Sequence, residues 1–195
     1  MHYFETALKE RKFNLEAASH YGLALALWRD HQYPRAQQAL DDARKLLKHP
    51  LFESLAAQIL LDSGKADAAA RLYEAALART PNHIGLQYGL IQCRLRQGKA
   101  ADAAQLAQQQ IDARVSNGPF YALLAEANAQ LGKESAQRQA QAEFYYRQGR
   151  LGDAITQLQL ALAVTGSDLY RQSAIEARLK ILRDEESTLK QSGKR

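Results

Sequence analysis

Residues 61–82 read LDSGKADAAARLYEAALARTPN, and looser versions of this phrase return at residues 95–110, LRQGKAADAAQLAQQQ, and 146–162, YRQGRLGDAITQLQLAL. The phrase contains a Gly-Lys pair of the kind found in phosphate-binding loops. It lacks the upstream glycine and the following Ser or Thr that such a loop requires. Because the phrase recurs along the chain, we interpret it as a structural repeat rather than a chemical site.

The spacing of the repeated glycines sets the period. Gly64, Gly98 and Gly132 recur at equal intervals, and Ala69 and Ala103 follow the first two glycines at the same distance. The interval, about 34 residues, accommodates two helices of about 13 residues joined by short turns. Glycine supplies the left-handed conformation that ends the first helix, and alanine lets the two helices approach closely. The spacing therefore predicts a series of helical hairpins.

Two further copies of the pattern depart from it. In residues 20–50 the pattern is present, but His31 stands where the glycine is expected. Gly149 follows Gly132 after only half of the repeat period. We therefore expect the helix at residues 134–148 to close one repeat and to open the next. Prolines mark the junctions, where a missing N–H costs least, at Pro34, Pro50, Pro81 and Pro119.

The repeated pattern resembles the tetratricopeptide repeat, which combines small residues, a glycine turn, an aromatic residue and a later proline at fixed places. One copy has them at Ala57, Gly64, Ala69, Tyr73 and Pro81. The resemblance implies an all-α fold, a right-handed superhelical solenoid of antiparallel helix pairs with a C-terminal capping helix. The predicted division is a leading helix (1–16), the repeats (17–166), the capping helix (167–186) and a flexible tail (187–195).

The expected capping helix follows Gly166. Ser167 is a suitable residue to cap its first turn. Its predicted apolar face consists of Tyr170, Ala174, Ala177 and Ile181, with Ile175 and Leu182 beside it. Such a helix covers the exposed end of a repeat stack.

Charge and composition argue against several classes of partner. The formal net charge is +5, but lysines and arginines are interspersed with acids, so we expect no nucleic-acid partner. The longest apolar run, LALALW at residues 23–28, is far too short to span a membrane. The single cysteine, Cys93, excludes an internal disulfide and a cysteine-cluster metal site. Its place in a predicted helix favours a buried small side chain over a reactive thiol.

Motifs for catalysis or metal binding are missing from the sequence. None of the five histidines has H-E-x-x-H spacing or the cysteine partners of a zinc site. No dinucleotide-binding, phosphate-binding or nucleophile-elbow motif is present. We therefore assign no catalytic residue, no metal ligand and no cofactor to this chain, and expect its function to reside in a binding surface.

The first helices of the pairs line the concave side of such a solenoid, where peptides or partner segments bind. Residues one or two turns apart on these helices share that side. The candidate partner-binding residues are Tyr21, Leu25, Trp28, Arg29, Ser54, Gln58, Leu61, Tyr88, Gln92, Arg96, Glu126, Gln130, Gln139, Glu143, Tyr146 and Arg147. The sequence leaves open that several of them, Trp28 and Leu61 especially, pack in the core or between repeats. The lysine and asparagines with which some tetratricopeptide domains hold a terminal carboxylate have no match here.

The two ends of the chain resemble one group of proteins more closely. Residues 2–36, HYFETALKERKFNLEAASHYGLALALWRDHQYPRA, are similar to the C-terminal repeat region of periplasmic zinc metalloproteases of the beta-barrel assembly-enhancing protease type. So are GDAITQLQLAL at 152–162 and YRQSAIEARLKILR at 170–183. The resemblance implies a zinc-binding H-E-x-x-H protease domain and an export signal upstream of this chain. It also implies periplasmic localisation and contacts with outer-membrane assembly components, client proteins or the protease domain itself.

Three readings of the function follow. We favour a non-catalytic protein–protein interaction domain, the recognition or regulatory part of such a metallopeptidase in outer-membrane protein quality control. The amphipathic start, with Tyr3, Phe4, Ala7 and Leu8 on one face, leads us to expect a chain cut from a longer one. The alternative is a free-standing tetratricopeptide adaptor or a self-associating scaffold whose Tyr3 and Phe4 meet a second copy. An autonomous enzyme is disfavoured because no catalytic constellation is present.

Overall fold

The structure is a computed structural model that describes residues 1–12, 15–113 and 118–192, and these residues form eleven α-helices and no strand. The predicted all-helical fold class is confirmed. The chain divides into two compact units, Met1–Gln97 and Gly98–Arg195. Unit 1 contains α1 (His2–Lys9), α2 (Glu16–Arg29), α3 (Tyr33–Leu46), α4 (Pro50–Asp62), α5 (Ala66–Arg79) and α6 (Ile84–Arg96). Unit 2 contains α7 (Ala100–Asp112), α8 (Gly118–Gln130), α9 (Glu134–Arg147), α10 (Leu151–Ala163) and α11 (Leu169–Ser192).

Consecutive helices of unit 1 pack side by side as antiparallel pairs, and α4 also contacts α2 and α6. The first helices of the pairs, α2, α4 and α6, are therefore neighbours in a row. Alanine occupies the closest approaches because its small side chain does not hold the helices apart. The alanines with no exposed surface in unit 1 are Ala24, Ala36, Ala43, Ala57 and Ala69.

The repeated glycines end their helices as predicted. All of them have positive φ, +80° at Gly64, +70° at Gly98, +68° at Gly132 and +74° at Gly149. In unit 1 the amide of Lys65 donates a hydrogen bond to the carbonyl of Leu60 (2.9 Å) and thereby closes the last turn of α4. The left-handed conformation carries no steric cost for glycine, which explains its recurrence at this place.

His31 adopts the same turn without being glycine. Its φ is +58°, and the amide of Gln32 donates to the carbonyl of Leu27 at 2.9 Å, as Lys65 does in the next repeat. The turn geometry is thus kept where the sequence departs from the pattern. Since a side chain disfavours this region of backbone space, the turn at His31 is strained relative to those at the glycines.

Replacement of His31 by glycine is expected to raise the free energy of unfolding of unit 1 by about 0.5–1 kcal/mol, because it removes the left-handed strain. The hydrogen bond between His31 Nδ1 and the Tyr33 hydroxyl (3.0 Å) is exposed, so its loss costs little. Urea unfolding followed by the fluorescence of Trp28 measures the change. Gly64→His is the reverse control and should destabilise unit 1 by a similar amount. A lower unfolding midpoint for His31→Gly would contradict the strain.

The predicted leading helix at residues 1–16 is interrupted. α1 ends at Lys9, and the amide of Lys12 donates to the carbonyl of Ala7 (2.9 Å). Arg11 has a φ of +54°, which turns the chain out of the helical path. α2 begins at Glu16, and residues 13–14 of the predicted helix lie outside the described part of the chain.

Unit 2 continues the pairwise packing from α7 to α11. α9 packs against both α8 and α10, which confirms that the half-period between Gly132 and Gly149 gives one helix shared by two pairs. A core cluster joins the last three helices and includes Ala142 from α9, Leu158 from α10 and Leu179 from α11.

The last helix differs from its prediction in cap, face and length. Asp168 Oδ1, not Ser167, accepts the capping hydrogen bond, from the amide of Arg171 (3.0 Å). The buried face consists of Ile175, Leu179 and Leu182, whereas Tyr170, Ala174, Ala177 and Ile181 are exposed. The long aliphatic side chains bury more apolar area against α10 than the alanine-rich stripe would. α11 also continues past residue 186 to Ser192, and residues 193–195 of the predicted tail lie outside the described residues.

Candidate functional site

The candidate residues of unit 1 lie on the three neighbouring first helices. We call this surface the first-helix face, and with one addition, Asp62, it comprises Tyr21, Leu25, Trp28, Arg29, Ser54, Gln58, Asp62, Tyr88, Gln92 and Arg96. On α2 these residues are one or two turns apart, and the same holds on α4 and α6. Hydrogen bonds join the side chains of Trp28, Gln58 and Asp62 within this face.

Asp62 is held from two sides. The indole Nε1 of Trp28 donates to Asp62 Oδ2 at 2.8 Å, and Gln58 Nε2 donates to Asp62 Oδ1 at 3.0 Å. A carboxylate with both oxygens bound by neutral donors keeps its charge in a fixed position. Asp62 was not among the residues predicted from the sequence, although it follows Gln58 by one helical turn and precedes Arg96 by one repeat period.

The apolar part of the face is anchored in the core. The ring of Tyr21 stacks on the buried ring of Phe52, with centroids 5.2 Å apart. This burial raises the pKa of Tyr21, and the positive charge of Arg29 offsets part of the rise. Leu25 and Trp28 are half-buried against the same core cluster. Leu61 is 6% exposed and belongs to the core, so of the two roles that the sequence left open for it, packing in the core is the one observed.

The first-helix face carries two arginine side chains that are exposed to solvent. Arg29 and Arg96 are exposed, and neither makes an ion pair or side-chain hydrogen bond with any residue that the structure describes. Arg96 occupies the position equivalent to Asp62 in the following repeat, and Arg29 lies directly after the equivalent position in the preceding one. α4 lies next to both α2 and α6. The carboxylate of Asp62 on α4 therefore has an exposed arginine on each neighbouring helix, Arg29 on α2 and Arg96 on α6.

Ser54 and Gln58 also support the fold. The hydroxyl of Tyr73 donates to the backbone carbonyl of Ser54 at 3.2 Å, and it is 3.5 Å from Gln58 Oε1. These bonds join α5 to α4 beneath the face. Gln58 therefore bridges the buried tyrosine and the exposed carboxylate, so its position is fixed before any partner binds.

The candidate residues of unit 2 do not share one surface. Glu126 lines a cleft of about 200 Å³ between α8 and α9. Gln139 and Glu143 line a different groove of about 680 Å³, which α7, α8, α9 and α11 form together. The shared role of α9 explains the difference, since it pairs with α8 on one side and α10 on the other. Gln130 and Arg147 are exposed, and the guanidinium of Arg147 lies 5.5 Å from the ring centre of Tyr121.

Glu143 and Tyr146 hold the last helix. Arg178 of α11 donates from Nε and Nη2 to the two carboxylate oxygens of Glu143, at 2.6 and 3.0 Å. Its guanidinium also lies 4.7 Å from the ring centre of Tyr146, whose hydroxyl donates to Glu185 Oε2 at 3.1 Å. Two residues that the sequence suggested for partner binding are thus bound by α11 of the same chain.

Cys93 is unreactive, and the described residues form neither a metal site nor a helix that could span a membrane. Cys93 is buried as predicted, and burial raises the pKa of its thiol from 9.0 to about 12. The thiol is therefore protonated at neutral pH and a poor nucleophile. Within the described residues, no three histidine, cysteine, aspartate or glutamate side chains come together as a metal site. Within the same part of the chain, no helix has both the length and the apolarity to cross a bilayer.

The Cys93 thiol is expected to lower the stability of unit 1 as the pH rises between about pH 9 and pH 12, and its contribution to the slope approaches about 1.4 kcal/mol per pH unit. The unfolded thiol of Cys93 loses its proton near 9.0 and the folded thiol near about 12, so the unfolded state binds fewer protons in this window. Below about pH 8 the Cys93 thiol is protonated in both the folded and the unfolded state, so it no longer makes the stability depend on pH. Urea midpoints measured at several pH values test this. Cys93→Ala should flatten the curve between about pH 9 and pH 10, and an unchanged slope would contradict the assignment.

Comparison with known proteins shows which fold the chain has. Residues 60–127 match the tetratricopeptide repeat family. The chain is 16% identical to the MamA fragment "41-end" from Desulfovibrio magneticus RS-1, covering 87% of this chain and 96% of that one with a TM-score of 0.57. It is 20% identical to a thermophilic TPR protein in Thermus thermophilus, covering 84% and 98% with a TM-score of 0.53. No curated protein matches it. The chain thus has the tetratricopeptide-repeat fold.

Proposed function

We propose that this chain is a non-catalytic protein–protein interaction module that binds a segment of its partner on the first-helix face of unit 1. The observation that carries the proposal is the fixed carboxylate of Asp62, held by Trp28 and Gln58 beside the exposed cations Arg29 and Arg96. Aromatic and arginine side chains on a preformed support are enriched at the energetic centres of interfaces. Fixed side chains lose little conformational entropy when a partner binds.

The charge pattern favours a partner segment of mixed charge. A cation of the partner pairs with Asp62, and acidic groups on either side pair with Arg29 and Arg96. Such complementarity selects partners and speeds association more than it adds affinity. Binding through this face should therefore weaken as salt rises, because the two arginines are exposed to solvent.

The double variant Tyr88→Ala plus Arg96→Ala is expected to lose most of the partner capture shown by the wild-type chain. A detergent extract of outer membranes serves as the probe, with bound proteins identified by mass spectrometry. The matched control is Tyr33→Ala plus Arg71→Ala, which also removes one half-buried tyrosine and one exposed arginine, but outside the face. Equal capture by wild type and by the folded Tyr88/Arg96 variant would show that the first-helix face is not the binding surface.

We infer further that the module is part of a periplasmic zinc-dependent metallopeptidase that acts in outer-membrane protein quality control. The similarity of residues 2–36 and 170–183 to the repeat region of beta-barrel assembly-enhancing proteases supports this. On this proposal zinc is bound by a protease domain outside the present sequence, and the partners are that domain and outer-membrane assembly components. The upstream reading frame tests it, since a frame without an H-E-x-x-H motif would contradict the assignment.

A free-standing adaptor or self-associating scaffold is the second candidate. It is favoured by the apolar surface around α1, where Tyr3 is 75% exposed and Leu15 is 56% exposed. A second copy that covers this surface would account for it. Light scattering on the purified chain tests self-association, since a monomer at all concentrations would argue against the scaffold.

A further inference from the structure

We propose that unit 1 docks peripherally on an anionic lipid surface through the connection between α3 and α4 and the basic cavity beside it. We call this surface the α3–α4 patch, and it comprises Lys45, Leu46, Leu47, Lys48, Leu51 and Arg79. The patch shares no residue with the first-helix face, so lipid docking and partner binding can be tested separately.

Three leucines of the patch are exposed to solvent. Leu46 is 52% exposed, Leu47 is 42% exposed and Leu51 is 47% exposed, although leucine is usually a core residue. They lie close together in the chain, at the end of α3 and the start of α4. A single exposed apolar side chain is normal, but a group of them rimmed by polar residues marks an interaction surface.

The next hairpin makes the equivalent turn with polar residues. The amide of Leu47 donates to the carbonyl of Ala43 at 3.0 Å, where α3 ends. The amide of Thr80 donates to the carbonyl of Ala76 at 3.0 Å in the same way, where α5 ends. Proline and asparagine follow Thr80, and both are usual turn residues, whereas Lys48 follows Leu47. The turn itself therefore does not require leucines, and their exposure indicates a partner.

A cavity of about 560 Å³ lies beside these leucines, where α3, α4 and α5 meet. Four cations and two acids line it, and they are Arg44, Lys45, Lys48, Arg79, Asp41 and Glu53. Arg44 binds both acids, with distances of 2.7 Å to Glu53 and 3.3 Å to Asp41. The negative charges of the cavity are thus already paired within the protein.

Two of the lining cations have no such partner. Lys48 and Arg79 are exposed, and neither forms an ion pair with a residue in the part of the chain that the structure describes. Lys45 pairs only with Asp42, and both side chains of that pair are exposed, so solvent weakens it. The long stems of lysine and arginine can lie along an apolar surface while their charged ends reach a phosphate. The patch therefore favours an anionic partner.

A lipid surface satisfies the leucines and the bases together. The leucines enter the boundary between headgroups and acyl chains, and the bases pair with the phosphates above them. A free anion would pair with Lys48 and Arg79 but would leave the leucines exposed. The leucines also lie outside the cavity, so no concave surface is shaped to hold a protein partner against them. A fluid lipid boundary accepts them without a matching shape.

Cosedimentation with phosphatidylcholine vesicles that contain about 30% phosphatidylglycerol tests the charge requirement. We expect Lys48→Gln plus Arg79→Gln to weaken binding about twentyfold, since each base near an anionic surface contributes a factor of about five. The matched control is Lys65→Gln plus Arg71→Gln, which removes the same two residue types outside the patch. No binding of the wild-type chain at low salt, or equal binding to pure phosphatidylcholine, would overturn the proposal.

The leucines are tested by Leu46→Gln plus Leu47→Thr, which leaves the charge unchanged. We expect vesicle binding to weaken about tenfold while the melting temperature stays constant, because both side chains are exposed. Leu160→Gln plus Val164→Thr is the control, since it changes two exposed aliphatic residues of unit 2. Unchanged binding by the Leu46/Leu47 variant would reduce the interaction to charge attraction alone and overturn the docking.

A dye on Leu47→Cys reports insertion directly. The native Cys93 is buried, so a thiol-reactive, polarity-sensitive dye labels the new cysteine. Its emission should shift to shorter wavelength with the anionic vesicles, but not with glycerol phosphate, the soluble part of the headgroup. A shift with glycerol phosphate alone, or none with vesicles, would overturn the proposal. Loss of vesicle binding in the Tyr88→Ala plus Arg96→Ala variant would also overturn it, because lipid would then bind the first-helix face.

Discussion

Gly89→Ala is expected to destabilise unit 1 by about 3 kcal/mol, near the upper end of the usual cost of overpacking a core. A Cβ atom at Gly89 would lie 2.2 Å from Cζ of Tyr73 and 2.5 Å from its hydroxyl oxygen. Tyr73 is 1% exposed, and its hydroxyl is bonded to Ser54, so the ring has no free space to enter. α6 must therefore move away from α5. Urea unfolding followed by the fluorescence of Trp28 measures the loss.

Gly85→Ala on the same helix is the matched control for Gly89→Ala. A Cβ atom there meets the imidazole of His83 at 3.3 Å, and Gly85 is exposed, so the neighbour can yield. We expect a change within about 0.5 kcal/mol. Tyr73→Leu should cost less in the Gly89→Ala background than in wild type, because it removes the clash. If Gly89→Ala costs no more than Gly85→Ala, the close approach of α5 and α6 is wrong.

The fold could be predicted from the sequence because its signals are local and repeated. One helical hairpin is marked by a turn glycine and by packing residues at fixed positions, Gly64, Ala69, Tyr73 and Ala76. The repeat period then predicts where the next hairpin begins. The half-period before Gly149 likewise sufficed to predict that α9 serves two helix pairs. The sequence even marked the position of the left-handed turn at His31, where the expected residue type is absent.

The candidate site could be predicted only where one helix determines it. Periodicity placed Trp28 and Gln58 on their helices correctly, but the bond from the Trp28 indole to Asp62 joins two helices that are distant in sequence. The burial of Leu61 depends on the neighbours of α4 and not on its own pattern. In α11 two apolar stripes compete, and the packing of α10 decides in favour of Ile175 and Leu179.

Arg178→Ala is expected to loosen α11 and to destabilise its attachment by about 2 kcal/mol, the usual worth of hydrogen bonds to a charged group. The side chains of Arg178 and Glu143 are only 28% and 21% exposed, so solvent weakens this pair less than it would a surface pair. The variant leaves Glu143 without its cation and Tyr146 without the guanidinium above its ring. Hydrogen exchange of the α11 amides should rise about thirtyfold, the factor that corresponds to this energy.

Arg171→Ala is the control for Arg178→Ala, since its pair with Asp168, which directly precedes α11, is exposed and should contribute less than about 0.5 kcal/mol. Arg178→Lys should recover little, because an ammonium group cannot bind both carboxylate oxygens in the same plane. Glu143→Ala combined with Arg178→Ala should cost less than the sum of the two changes. Unchanged exchange in Arg178→Ala would mean that the apolar contacts of Ile175 and Leu182 alone hold α11. A partner that displaced Arg178 from Glu143 and Tyr146 would then do so at little cost to the attachment of α11.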